Sequence, residues 1–231
     1  MTSIIAEIGV NWDGDFDLAK EMMNMAKKYG CDYVKYQSFN ENIVKKHPEK
    51  SRLMKSAISP DNIETIDEIA KKIGIEWFCT PMYPEAVDFL NPYVNKFKIR
   101  ELDGRPLLEN KTSDLIERIF NTGKESYISS QKSPLKIKIK NSNLKWLYCV
   151  PKYPCSLSDL DFSRLNEFDG YSNHCPDITV PVNAAILGAK IIEVHITSDK
   201  SKKFFDNAVS FDYDDLNKLV QMIRKSKNIS K

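Results

Sequence analysis

The chain lacks any long apolar run. None of its 231 residues falls in a stretch approaching the roughly 20 apolar residues that a membrane-spanning helix needs. It enters a strand-like run at Ser3 with no signal-type leader ahead of it, so a cytoplasmic protein without a membrane anchor is expected. Charge of one sign is also missing. Lysine plus arginine (34) nearly balances aspartate plus glutamate (32), and the net charge of +2 gives no global case for nucleic acid or an anionic membrane as partner. Five cysteines, an odd number without a C-x-x-C pair, argue against a disulfide framework and fit reduced thiols in small core positions. Of these, Cys175 stands out because it follows His174. There is no internal repeat, low-complexity stretch or linker, so residues 1–231 read as one domain. Histidine is among the scarcest residue types, with three in all.

Two of those three carry the argument. Phe-Asp-Gly-Tyr-Ser-Asn-His (168–174) and Ile-Ile-Glu-Val-His-Ile-Thr (191–197) are consecutive strand-like runs, separated by a helix-like segment from Val180 to Gly188. A strand–helix–strand unit sets its strands parallel and usually adjacent. His174 and His195 are therefore expected at the same carboxyl-terminal sheet edge, close enough to share a metal ion. The third, His47, lies in a polar loop and reads as exposed.

Strands and helices alternate almost throughout, which argues for a parallel sheet. Strands are expected at 3–9, 33–39, 76–81, 95–100, 126–130, 144–150, 168–173 and 190–197. Helices are expected at 16–30, 61–73, 84–90, 113–122, 159–166, 178–188 and 212–226. Asp15 and Asp61 stand where N-caps belong, and Gly30, Gly74 and Gly123 where helices stop. The stretch from Gln131 to Asn143 alternates lysine with leucine or isoleucine and is too short for a helix with two loops. The fold class is thus an α/β (β/α)8 TIM barrel whose fifth helix is missing or replaced. Residues 40–60 form a long loop suited to a lid or an oligomer contact.

Parity along the strands sorts their faces. Glu7, Lys35, Gln37, Lys98, Ser129, Glu193 and His195 fall on faces opposite apolar neighbours and converge on one polar lumen. Buried charges must pair or meet a ligand, so lysines among carboxylates point to an anionic substrate and the two histidines to a divalent metal. The bland alternatives are structural ion pairs for the lysines and satisfied core histidines.

The ordered motifs Ile-Ile-Ala-Glu-Ile-Gly-Val-Asn (4–11), Tyr-Val-Lys-Tyr-Gln (33–37), Phe-Cys-Thr-Pro (78–81), Phe-Lys-Ile (97–99), Tyr-Ser-Asn-His (171–174) and Leu-Gly-Ala-Lys-Ile-Ile-Glu-Val-His-Ile-Thr (187–197) closely resemble the catalytic barrel of the sialic acid synthases, over about residues 3–226. That resemblance implies a C–C bond-forming transferase that condenses phosphoenolpyruvate with an open-chain N-acyl sugar aldehyde, for surface polysaccharide synthesis. It implies a divalent metal, Mn2+ or Mg2+, held by His174 and His195. It assigns Lys35, Thr80, Lys98, Ser129 and Ser172 to the phosphate and carboxylate of phosphoenolpyruvate, with Gln37 beside them. Glu7 matches the family's first-strand acid, and Asp103 a glutamate serving the enolpyruvate methylene. Tyr153 and Asp206 fall where the sugar is contacted.

The chain departs from the family pattern at Trp12, at Arg100-Glu101-Leu102, at Gln131-Lys132, at Pro151 and at Lys203-Phe204-Phe205. No antifreeze-like domain is expected after the barrel. These changes imply an altered acceptor pocket, completed by the 40–60 loop, a homodimer partner or a separate lid protein. The alternative is a catalytically inactive synthase-like barrel that binds a sugar or partner in a biosynthetic complex.

Overall fold

The computed structural model describes residues 2–229. Eight parallel strands close into a barrel in sequence order: β1 Ser3–Gly9, β2 Tyr33–Ser38, β3 Glu76–Pro81, β4 Lys96–Ile99, β5 Glu125–Ser130, β6 Leu144–Tyr148, β7 Gly170–Asn173 and β8 Ile191–His195. Pairing of β1 with β8 closes the ring and sets Glu7 opposite His195, while β1 and β2 set Glu7 opposite Lys35. The apolar parity of β1, β2 and β8 packs Ile4, Ala6, Val34, Tyr36, Ile192 and Val194 fully buried against the helices. The other parity feeds the lumen, as strand alternation requires.

The helices are α1 Phe16–Tyr29, α2 Glu41–Val44, α3 Lys50–Lys55, α4 Ile63–Ile73, α5 Pro84–Leu90, α6 Glu101–Leu108, α7 Asp114–Asn121, α8 Thr179–Ile186 and α9 Tyr213–Ile229. Asp15 caps α1, accepting from the backbone N–H groups of Asp17 and Leu18. The cap of α4 is Asn62 rather than Asp61, one residue later than the sequence suggests. Its amide oxygen instead accepts from Ser59 N–H and closes the preceding turn. Gly30 and Gly74 end their helices in the left-handed conformation.

Four stretches differ from expectation or fill it in. The 40–60 loop holds the two short helices α2 and α3. A helix not expected from the sequence, α6, follows β4; its Gly104 and Pro106 break helical periodicity, so the pattern hides it. Gly104 is there for closeness, since a Cβ on it would lie 2.4 Å from Ile128 of β5. The helix expected at 159–166 is instead two short 3-10 turns, Leu157–Asp159 and Leu165–Glu167. Ser156 and Asp159 cap the first reciprocally, and Asp161 accepts from Ser163 N–H, so side chains here compete for the backbone bonds a helix would use. Between β5 and β6 no helix forms; Ile137 is buried there, and half-buried Ile139 packs against the barrel core.

Trp12 is fully buried. Its indole N–H donates to the Ser56 carbonyl at 2.9 Å, and its ring packs edge-on to Tyr36. It therefore anchors the 40–58 segment to the barrel and does not face the sugar side, where its place in the first loop had suggested a role.

Candidate active site

At the carboxyl-terminal mouth a cavity of about 270 Å3 is lined by Glu7, Lys35, Gln37, Thr80, Lys98, Ser129, Tyr153, Ser172, His174, Glu193 and His195, together with Met82, Arg100, Glu101, Leu102, Cys149 and Pro151. The polar parity of β1, β2, β4, β5, β7 and β8 delivers most of these, and β3 adds Thr80 from its end.

Four charges form the floor. Lys35 Nζ lies 2.9 Å from Glu7 Oε2 and 3.7 Å from Glu193 Oε1, and donates to Thr80 Oγ1 at 3.1 Å. Lys98 Nζ lies 2.7 Å from Glu193 Oε1, which also accepts from Ser172 Oγ at 2.8 Å. Gln37 Nε2 donates to Glu7 Oε1 at 2.8 Å. All four charged side chains are within a few per cent of complete burial. Two cations and two anions cancel, which is how so polar a floor can sit inside a barrel.

The environments push these groups apart. Burial would raise Glu193, but Lys35 and Lys98 overcome it and hold the carboxyl well below the usual range. Glu7 goes the other way, because complete burial outweighs the help of Lys35 and Glu193 adds repulsion. Burial lowers Lys98; in Lys35 the same burial is outweighed by Glu193 and Glu7, and its pKa rises.

His174 and His195 sit on neighbouring strand ends with ring centroids 5.4 Å apart. Burial depresses His174 to about 4, and burial together with His174 takes His195 well below its ordinary value. Both imidazoles are therefore neutral near pH 7. His174 Nδ1 lies 2.9 Å from the Val150 carbonyl, which can only accept, so the ring proton is on Nδ1 and the Nε2 lone pair is left available. His195 Nε2 meets the Tyr153 hydroxyl at 2.6 Å, with Asp206 Oδ2 3.9 Å away. The Tyr153 ring also leans on His174, 4.2 Å between centroids. Burial, with Glu7 nearby, raises Asp206 to about 7.

Gly9 explains how the β1 end holds this crowd. The ladder slips between Glu7 and Gly9, whose φ is +55°. A Cβ there would lie 3.0 Å from both Gln37 Nε2 and Glu7 Oε1 and 3.2 Å from Asp206 Oδ2. Only glycine fits both the backbone and the space.

Asp103 stands apart from the cavity. It lies on the first turn of α6, and its carboxylate is held by the Arg100 guanidinium. Burial raises its pKa against that partner. Among the described residues no group of three or more His, Cys, Asp or Glu side chains is arranged to hold a metal, so the two histidines stand as a pair. Glu193, expected from parity only as one of the lumen residues, is the hub of both lysines and Ser172. Cys175 is buried in the barrel core and does not line the cavity, whereas Cys149, not singled out from the sequence, does.

A sequence model of the NeuB family matches residues 22–231. The chain belongs to that family. It is 32% identical to the N,N'-diacetyllegionaminic acid synthase of Legionella pneumophila, over 98% of this chain and 72% of that protein. It is 34% identical to the uncharacterized protein MJ1065 of Methanocaldococcus jannaschii, over 96% of this chain and 70% of that protein. Among solved structures, the N-acetylneuraminic acid synthetase of Leptospira borgpetersenii, in complex with citrate, superposes with a TM-score of 0.81 at 25% identity, over 99% of this chain and 85% of that one. NeuB relatives are thus synthases of sialic-acid-type sugars, and this chain is an enzyme of that kind, a C–C bond-forming transferase in carbohydrate biosynthesis. Among the described residues, no helix is long and apolar enough to cross a membrane.

Proposed function

We propose that the protein condenses phosphoenolpyruvate with an open-chain amino sugar aldehyde, with a divalent cation, Mn2+ or Mg2+, held by His174 and His195. The observation that carries this reading is the paired floor of Lys35, Lys98, Glu7 and Glu193 beside two neutral histidines at one barrel mouth. Such a floor suits an anion that enters with compensating charge, and the histidines suit the cation that supplies it.

The donor set fits such a cation. His174 offers Nε2 because Val150 fixes its tautomer, and His195 offers Nε2 once the Tyr153 hydroxyl turns aside. When bound, the cation supplies Lewis acidity at the aldehyde oxygen.

The chain's own residues do the rest. Lys98 and Lys35, with Thr80, Ser129 and Ser172, bind the phosphate and carboxylate and orient the enol face. Carbon 3 of phosphoenolpyruvate forms the new bond to the aldehyde carbon, whose oxygen is protonated. Water adds at carbon 2 and the phosphate leaves, giving the 2-keto acid. Glu7, held by Gln37 and Lys35, is placed to take the proton from that water, and its raised pKa makes it a stronger base than an ordinary carboxylate. Asp206 and Tyr153 receive the sugar hydroxyls. Asp103, turned onto Arg100, acts only if that pair opens.

The test is a thermal scan with Mn2+ and millimolar phosphoenolpyruvate. A ligand at about 100 times its Kd stabilises by roughly 2.7 kcal/mol. The expected result is a clear upward shift that shrinks in Lys98→Ala. No shift would favour an inactive barrel.

A further inference from the structure

The β5–β6 connection carries a charge imbalance that the chain as a whole does not show. No aspartate or glutamate occurs between Glu125 and Asp159, while six lysines do: Lys132, Lys136, Lys138, Lys140, Lys145 and Lys152. That local excess is larger than the +2 of the entire chain. Lys132, Lys136, Lys138 and Lys140 are exposed, whereas Ile137 is buried and Ile139 packs half-buried against the barrel core. The alternation turns the isoleucines inward and the lysines outward, as one stripe down the barrel flank. Leu135, beside Lys136 in this stripe, is 68% exposed.

The stripe is pinned to the barrel along its length. Ser130 Oγ accepts from Lys132 N–H at 3.0 Å, Asn110 Oδ1 accepts from Lys138 N–H, and the Asn143 side-chain amide donates to the Gly123 carbonyl at 2.8 Å. The carboxylates nearby are already engaged: Glu109 pairs with Lys111, Glu125 with Lys96 and Glu167 with Arg164. Among the described residues none of the four exposed lysines makes an ion pair. The fold thus holds four like charges side by side without a counter-charge of its own. At its Lys132 end the stripe reaches the mouth, since Lys132 shares a groove with Glu101 and Pro151, which also line the active-site cavity.

We propose that this flank docks on an anionic lipid surface, with the lysines on the headgroup phosphates, Leu135 entering the edge of the acyl region, and the active-site mouth opening alongside the bilayer. The composition of the stripe selects this partner. Protein interfaces favour arginine and aromatic side chains and are poor in lysine. Nucleic-acid sites add arginine for base edges or aromatics for stacking. From Gln131 to Leu144 there is neither arginine nor any aromatic residue. Lysine is a hydrated point charge that asks no fixed geometry of its partner, which suits a fluid surface of phosphates. Each such lysine strengthens attachment to an anionic leaflet about fivefold, and an exposed leucine adds apolar burial. The contact is peripheral and independent of the condensation reading.

The test is co-sedimentation of the full chain with vesicles, either pure phosphatidylcholine or an equimolar mixture with phosphatidylglycerol, at about 0.1 M salt. The expected result is that the chain pellets with the anionic vesicles alone and is released at about 1 M salt, where the Debye length falls to roughly 3 Å. Neutralising Lys132, Lys136, Lys138 and Lys140 together to glutamine should abolish attachment while circular dichroism and Tm stay as in the wild type. The same change at Lys20, Lys28, Lys45 and Lys46, exposed lysines elsewhere on the chain, should leave most of it. Leu135→Ser should weaken it about fivefold, which a purely ionic contact would not show. A DNA duplex and poly-glutamate, at matched phosphate or carboxylate concentration, should compete poorly. Equal pelleting with both vesicles, no pelleting, attachment that survives loss of the stripe, an unchanged Leu135→Ser, or tighter binding of the duplex or the acidic polypeptide would overturn the proposal.

Discussion

Glu193→Gln is the perturbation that most sharply probes the buried charge floor. The substitution keeps the shape and can keep the bonds from Lys98 and Ser172, but removes the one anion shared by both lysines. At an effective dielectric of about 20, attractions across 2.7 and 3.7 Å come to roughly 6 and 4 kcal/mol before desolvation is subtracted. Removing one partner of a buried pair costs about 3–5 kcal/mol net. With the hydrogen bonds retained, the lower figure is expected, about 3 kcal/mol. For a chain of this size that is a drop in Tm of about 6–12 °C. The ligand response should move oppositely. A phosphate or carboxylate would restore the missing counter-charge, so the upward shift with phosphoenolpyruvate should exceed that of the wild type. Differential scanning calorimetry with and without the ligand reads both effects. A variant as stable as the wild type, or one with a smaller ligand shift, would refute the idea that Glu193 neutralises an anion-binding pair of lysines.

Replacing His174 and His195 together with alanine should abolish Mn2+ uptake in a calorimetric titration, while the barrel stays folded by circular dichroism. Asp206→Asn should change the pH dependence of stability. The folded carboxyl is raised to about 7 against roughly 4 unfolded, so its ionisation opposes folding as pH rises from 4 through 7. The variant should gain over the wild type across that window, levelling off above it at no more than about 4 kcal/mol; a gain at acid pH instead would contradict the sign. Trp12→Phe should cost about 1–3 kcal/mol in chemical denaturation, since it strands the buried Ser56 carbonyl. Gly9→Ala should weaken phosphoenolpyruvate binding more than it lowers Tm, because the added methyl meets Gln37, Glu7 and Asp206.

The parts of the molecule legible in the sequence were those governed by period two. Alternation on β1, β2, β4 and β8 identified Glu7, Lys35, Lys98, Glu193 and His195 as lumen residues, and the register places them together. What escaped was set by contacts distant in the chain. Helix α6 hides behind Gly104 and Pro106, because its reason is packing against Ile128 rather than periodicity. Trp12 looked like a mouth residue by position, yet its partners Ser56 and Tyr36 make it a buried strut. The small apolar cluster of Val10, Phe39 and Leu53, with Met82 and Phe205 packed on it, was foreshadowed only as a long loop at 40–60, since it joins residues from four separate segments. Asp103 was placed by motif resemblance, and the structure turns it onto Arg100, a residue that the same motifs marked only as a departure from the family pattern.

The most direct measurement is the mass of the product. The protein is incubated with Mn2+, phosphoenolpyruvate and each of a panel of aldoses and N-acyl sugars, and the mixture is read by mass spectrometry alongside a phosphate assay. The account predicts one new acid whose mass is that of the aldehyde plus pyruvic acid, formed in equal amount to the phosphate released and absent in the His174, His195 double variant. Phosphate release without that acid, or binding of phosphoenolpyruvate with neither product across the sugar panel, would contradict it.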